Sequence, residues 1–81
     1  MRIEFHNLSE GQTLGPLAYD GDVVLTVYSG VFQLKSGSTI RSLRELDQVV
    51  VAEGNRFELV CESEGAIQLI WAPAMARTNR G

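Results

Sequence analysis

Eighty-one residues are enough for a single small core, and 44% hydrophobic with 21% charged side chains excludes a disordered or fibrous chain. Residues 1–72 carry ten acidic side chains against five basic ones; Arg77 and Arg80 add basic charge only near the end. An acidic body without a basic stripe is a poor partner for phosphate backbones, so nucleic-acid binding is not expected.

In chain order the signals are those of strands. The stretch RIEF (2–5) alternates, with Ile3 and Phe5 on one face. The polar, glycine-broken stretch 6–16 is no helix, and His6 beside Asn7 reads as a surface loop residue. DVVLTVY (22–28) is rich in β-branched residues and stops at Ser29-Gly30, a turn dipeptide. VFQLK (31–35) stops at Ser36-Gly37, STIRSL (38–43) runs into RELD, and QVVVA (48–52) runs into EGN. RFELVCE (56–62) stops at SEG, and AIQLIWA (66–72) ends before Pro73. Turn signals at this spacing predict an all-β sandwich or barrel. RSLREL (41–46) alone has the composition of a helical turn, too short to stand by itself. The barrel is expected to occupy residues 1–72; the tail, 73–81, has little to bury and is expected to be mobile.

Alternation also assigns faces. Val23, Leu25 and Val27 share a side, as do Phe32 with Leu34, Phe57 with Leu59 and Cys61, and Ile67 with Leu69 and Trp71. The opposite side still carries Val24, Val60 and Ile70, more than a solvent face needs, which predicts cover by the N-terminal strand or by a second subunit. On that ground the expected assembly is a homodimer. Arg56, Glu58 and Glu62 read as a solvated charged face; of Asp20 and Asp22, alternation puts Asp22 on the face opposite Val23's neighbours or on the rim. Cys61, the single cysteine, excludes an internal disulfide, and with the single histidine it cannot build a structural zinc site. It reads as a small buried thiol on a strand. No apolar run is long enough to span a membrane, and the start MRIEFHNLSE has no apolar signal core, so a cytoplasmic location is expected.

Residues 11–30, GQTLGPLAYDGDVVLTVYSG, resemble the first motif of the cupins, G-x5-H-x-H-x3,4-E-x6-G, in spacing: Gly11, Leu17, Tyr19, Val23 and Gly30 fall on its marked positions. The second cupin motif, G-x5-P-x-G-x2-H-x3-N, falls on Leu46, Ala52, Gly54, Phe57 and Cys61, where Gly54 alone survives. The resemblance covers about residues 11–72 and implies a small jelly-roll β-barrel of the RmlC-like type. It also implies that the metal ligands have become Leu17, Tyr19, Val23 and Phe57, so no metal or other cofactor is expected. Two readings of the interior stay open. In one, the old cavity is filled core; in the other, Leu17, Tyr19, Val23, Phe57 and Trp71 line a pocket for an apolar small molecule, with Tyr19 as its polar fixture.

The function that follows is a metal-free small-molecule-binding or interaction module. The alternative is a metal-independent isomerase, epimerase or cyclase-like enzyme acting on a small sugar or carbonyl acid, with Tyr19 as acid. No interior general base is visible for it, and no further catalytic residue can be named. Neither a Ser-His-Asp set nor a phosphate-binding glycine loop is present.

Overall fold

The computed structural model describes residues 1–73; the expected tail lies, apart from Pro73, outside the described residues. Six strands make up the chain: β1 Arg2–Leu8, β2 Thr13–Leu17, β3 Val23–Ser36, β4 Thr39–Leu43, β5 Gln48–Val51 and β6 Phe57–Trp71. All pairings are antiparallel. The long strands β3 and β6 pair along their whole length and form the spine. The first half of β3 also pairs β5, and its second half pairs β4. The second half of β6 pairs β1, and its first half pairs β2. The result is two four-stranded layers, β1–β6–β3–β5 and β2–β6–β3–β4, folded over a shared spine as a cupin-type jelly roll.

Ser29-Gly30 and Ser63-Glu64-Gly65 are therefore bends inside continuous strands, not the strand ends that their composition predicts. Pairing register shifts at this point, between Val27 and Phe32. Glycine makes the bend. Gly30 has φ +84°, and a Cβ there would overlap the carbonyl oxygen of Ser63 and come within 2.6 Å of that of Glu64. Gly65, across from it, would overlap the carbonyl of Ser29. Gly30→Ala is expected to cost about 2–3 kcal/mol, because a left-handed backbone conformation is joined by contact with unyielding backbone. Gly37→Ala, at φ +62° in open space, is expected to cost only about 1 kcal/mol. Urea denaturation of the pair measures the difference; equal costs would mean that close approach at the bend does not matter.

Packing follows the alternation closely. Val23, Leu25, Val27, Val51, Ile67 and Leu69 from one layer meet Phe32, Leu34, Leu43, Phe57, Leu59 and Cys61 from the other, each at most 6% exposed. Cys61 is thus the buried strand thiol that was expected, with the carbonyls of Ser63 and Leu8 3.3 and 3.5 Å from its sulfur. Burial pushes its pKa up, and the charges of Glu64 and Glu10 add to the rise against two backbone hydrogen bonds.

The segment RSLREL holds no helical turn: Leu43 ends β4 and residues 44–47 form a tight loop. There Arg44 N–H donates to Asp47 Oδ2 at 2.8 Å, Asp47 N–H to Arg44 O at 2.9 Å, and Leu46 N–H to Val27 O at 2.8 Å. Leu46 has φ +74°, the one positive value on a non-glycine residue among the described residues. It stands where the second cupin motif has its first glycine. Leu46 is 80% exposed, so Leu46→Gly removes strain without removing much packing. A net gain of about 0.5–1 kcal/mol is expected, left-handed strain being partly offset by glycine's unfolded-state entropy. A loss of stability in denaturant titration would show that the leucine side chain packs on something.

Candidate functional site

The motif segments meet at the end of the sandwich away from the bend. Leu17 faces Phe57 across β2–β6, and Val23 faces Trp71 across β3–β6. Tyr19, in the loop after β2, stacks on Phe57 at 6.3 Å between ring centroids and tilts against Trp71 at 5.5 Å. Gly54 N–H donates to Tyr19 O at 3.0 Å, and Glu53 N–H to Asp22 Oδ1 at 2.9 Å, tying the second motif's turn to the first motif's loop. The four positions that would carry metal ligands in a cupin are thus held at one end of the molecule.

Their chemistry does not fit a metal. Leu17, Val23 and Phe57 have no donor atom. The Tyr19 phenol is held protonated: burial raises its pKa above the usual value near 10, and Glu4 adds to this while Arg2 opposes it. Among the described residues no group of three or more His, Cys, Asp or Glu is placed to hold a metal ion. Val23 and Phe57 are buried, at 1% and 2% exposed. Leu17, Tyr19 and Trp71 are half-buried against the same core. The Trp71 Nε1 donor at this end is buried and unpaired, which costs about 1–3 kcal/mol.

Three side chains beside this end escape the sequence reading. His6 is on β1 and not in a loop. Its Nε2 lies 3.1 Å from Glu4 Oε1 and donates to it in the tautomer that carries that proton. Arg2 Nε is 3.4 Å from Glu4 Oε2. By register Glu4 and His6 stand opposite Leu69 and Ile67, so they share the inward face with buried residues. Continuing the alternation of RIEF through Leu8 finds this set, but only if the polar parity is allowed to point inward.

Ile3 and Phe5 consequently point outward. The N-terminal strand does not cover the second apolar face; it lies beside β6 and widens it. Register sets Ile3, Ile70, Val24 and Val50 in one row across β1, β6, β3 and β5, and Phe5, Gln68, Thr26 and Gln48 in the next. Phe5 packs edge-on against Tyr28 at 5.0 Å. Tyr28 Oη donates to Gln68 at 3.4 Å, and Gln48 to Thr26 at 3.0 Å. Ile3 and Val50 are each 58% exposed, Phe5 54% and Tyr28 48%. None of these residues is charged. Val60 belongs elsewhere, on the outer side of the other layer, paired with Thr13 and Gln33.

No protein-family profile and no curated protein matches this sequence. Solved structures do. A conserved protein of unknown function from Streptococcus pyogenes superposes with a TM-score of 0.84 at 21% identity, covering 88% of this chain and 62% of that one. An RmlC-like cupin from Shewanella frigidimarina gives a TM-score of 0.80 at 21% identity, covering 89% and 65%. CENP-C from Drosophila melanogaster, in a structure bound to CAL1, gives 0.76 at 15% identity, covering 86% and 63%. The chain spans somewhat less than two thirds of each. At these identities the likeness establishes the fold, a small cupin jelly roll. Among the described residues no helix is long and apolar enough to cross a membrane.

Proposed function

We propose that this chain is a metal-free, non-enzymatic interaction module whose single barrel, residues 1–72, pairs with a second copy of itself. The observation that carries this reading is the uncharged row Ile3–Ile70–Val24–Val50 backed by Phe5 and Tyr28. In a chain with seventeen charged side chains, a four-strand face without one is the composition of an interface centre, where charge is depleted and aromatic residues are enriched. Four strands at about 4.8 Å spacing and some six residues of about 3.3 Å give a footprint on the order of 400 Å². That lies in the range where a monomer's largest apolar patch is often functional. The fold is compatible with such a role, since CENP-C is seen in complex with CAL1. The same proposal places the chain in the cytoplasm, where a lone unpaired thiol such as Cys61 is ordinary.

Light scattering at micromolar concentration is expected to give twice the chain mass. Val50→Glu and Ile3→Glu are expected to yield folded monomers whose own fold is weakened by no more than about 0.5 kcal/mol, because both side chains are exposed in the single chain, the stability contributed by dimerisation being lost in addition. A wild-type monomer with a melting temperature unchanged by dilution would contradict the proposal.

A second reading has one observation in its favour. The Glu4–His6 pair on the inward face supplies the kind of base that a metal-independent isomerase, epimerase or cyclase-like enzyme needs, with Tyr19 as its acid. Leu17, Tyr19 and Trp71 would then meet a small sugar or carbonyl acid, while Val23 and Phe57 would serve behind them as packing. Binding of an apolar small molecule at the same end would use the same three half-buried residues.

A further inference from the structure

Between the free edges of β4 and β5 the two layers leave an open groove of about 620 Å³, within the usual size of small-ligand sites. Its floor is apolar: Leu34, Val49 and Val51, the first and last 6% exposed. Thr39, Arg41 and Leu43 alternate on one face of β4, and Leu43 is buried, so Arg41 faces into the groove, opposite Leu34 in register. Arg56 borders the groove from the β5–β6 turn, where Ser36 Oγ donates to its carbonyl at 3.0 Å, and also borders a smaller hollow beside Lys35 and Glu58; Asn55 lines the wall next to it. No acidic residue lines the groove, although acids outnumber bases ten to five over residues 1–72. Arg41 and Arg56 make no ion pair among the described residues, where the salt bridges involve Arg2 and His6 instead. An inward-pointing charge on an edge strand can serve to block pairing with other strands. That accounts for one arginine on β4. It does not account for a second from a separate turn.

We propose that this groove binds a small organic carboxylate carrying a short apolar chain. The two guanidinium forks would take the carboxylate, which they match in plane and charge, and the chain would lie on Leu34, Val49 and Val51. Val50 borders both the groove and the outer face, and Gly54 borders it beside the Tyr19 end; the two arginines and the floor residues belong to neither.

Isothermal titration of the purified full chain with hexanoate, hexan-1-ol and inorganic phosphate tests this. Hexanoate is expected to bind saturably at one site per chain, more tightly than either of the others and more weakly as salt rises. Arg41→Gln and Arg56→Gln should each weaken it about tenfold or more. Arg44→Gln, which removes the same charge outside the groove, should leave it unchanged. Should either glutamine variant fail to fold by circular dichroism, Arg41→Lys and Arg56→Lys replace them; each keeps the charge but loses the fork, and is expected to weaken binding several-fold. The proposal is overturned if hexanoate shows no saturable binding, or if hexan-1-ol binds as well, which would leave only apolar contact. Tighter binding of phosphate would overturn the carboxylate assignment, and an equal loss in Arg44→Gln would reduce the effect to overall charge.

Discussion

Phe57→Ala is expected to destabilise the fold by about 3–5 kcal/mol, the usual cost of removing a buried ring from a packed core. Phe57 is 2% exposed at the start of β6, faces Leu17 across the sheet, and carries the ring of Tyr19 on one side. Deleting its ring strips contacts from both layers at once, and the neighbouring strands cannot close the void without moving the spine. Denaturant titration followed by tryptophan fluorescence suits the purpose, because Trp71 stands beside Tyr19 at the same end. A loss below about 1.5 kcal/mol, the size of a well-tolerated hydrophobic swap, would mean that Phe57 lines an open space. It would favour the pocket reading of this end over the filled core.

Much of the fold is legible in the residues because each run on either side of the bend buries one parity, which in β3 changes between Val27 and Phe32. The runs at 22–28, 31–35, 56–62 and 66–72 alternate with β-branched and aromatic residues inward, and the buried residues of β3 and β6 all fall on the parity of their own run. The motif glycines are legible for a physical reason as well. Gly11, Gly30 and Gly54 all have positive φ, so their spacing is the spacing of backbone conformations that side chains resist. Leu46 adopts the same conformation where the motif loses its glycine, which is independent support for the alignment.

Other parts are illegible for equally specific reasons. β2 is an edge strand that contains Pro16 and shifts register between Leu14 and Leu17, so it shows neither alternation nor strand composition. The bends hide as turns, since Ser-Gly and Ser-Glu-Gly read alike whether the chain reverses or only folds over. β1 inverts the usual rule: Ile3 and Phe5 face out while Glu4 and His6 face in, and composition alone favours the opposite. Val24, Val60 and Ile70 share a parity, but the bend sends Val60 to a different surface. The groove brings Arg41 of β4 and Arg56 of the β5–β6 turn to one lining, from segments fifteen residues apart that no local pattern joins.

Residues 11–30 and 46–61 keep the spacing of a cupin frame, with Val23 and Phe57 at two of its ligand positions buried in the core. Restoring the ligands tests this most directly, with Leu17→His, Tyr19→His, Val23→Glu and Phe57→His combined in one chain. Without metal the variant is expected to lose several kcal/mol, through a deleted ring and buried polar groups left unpaired. With nickel or zinc at about a thousand times its dissociation constant, about 4 kcal/mol should return by mass action. The control moves the same four residues one position along, as Ala18→His, Asp20→His, Val24→Glu and Glu58→His, which turns the strand positions to the other face. Metal-dependent recovery in the first variant and none in the second is the expected result. An equal response in both, or none in either, would contradict the assignment of these positions to a cupin frame.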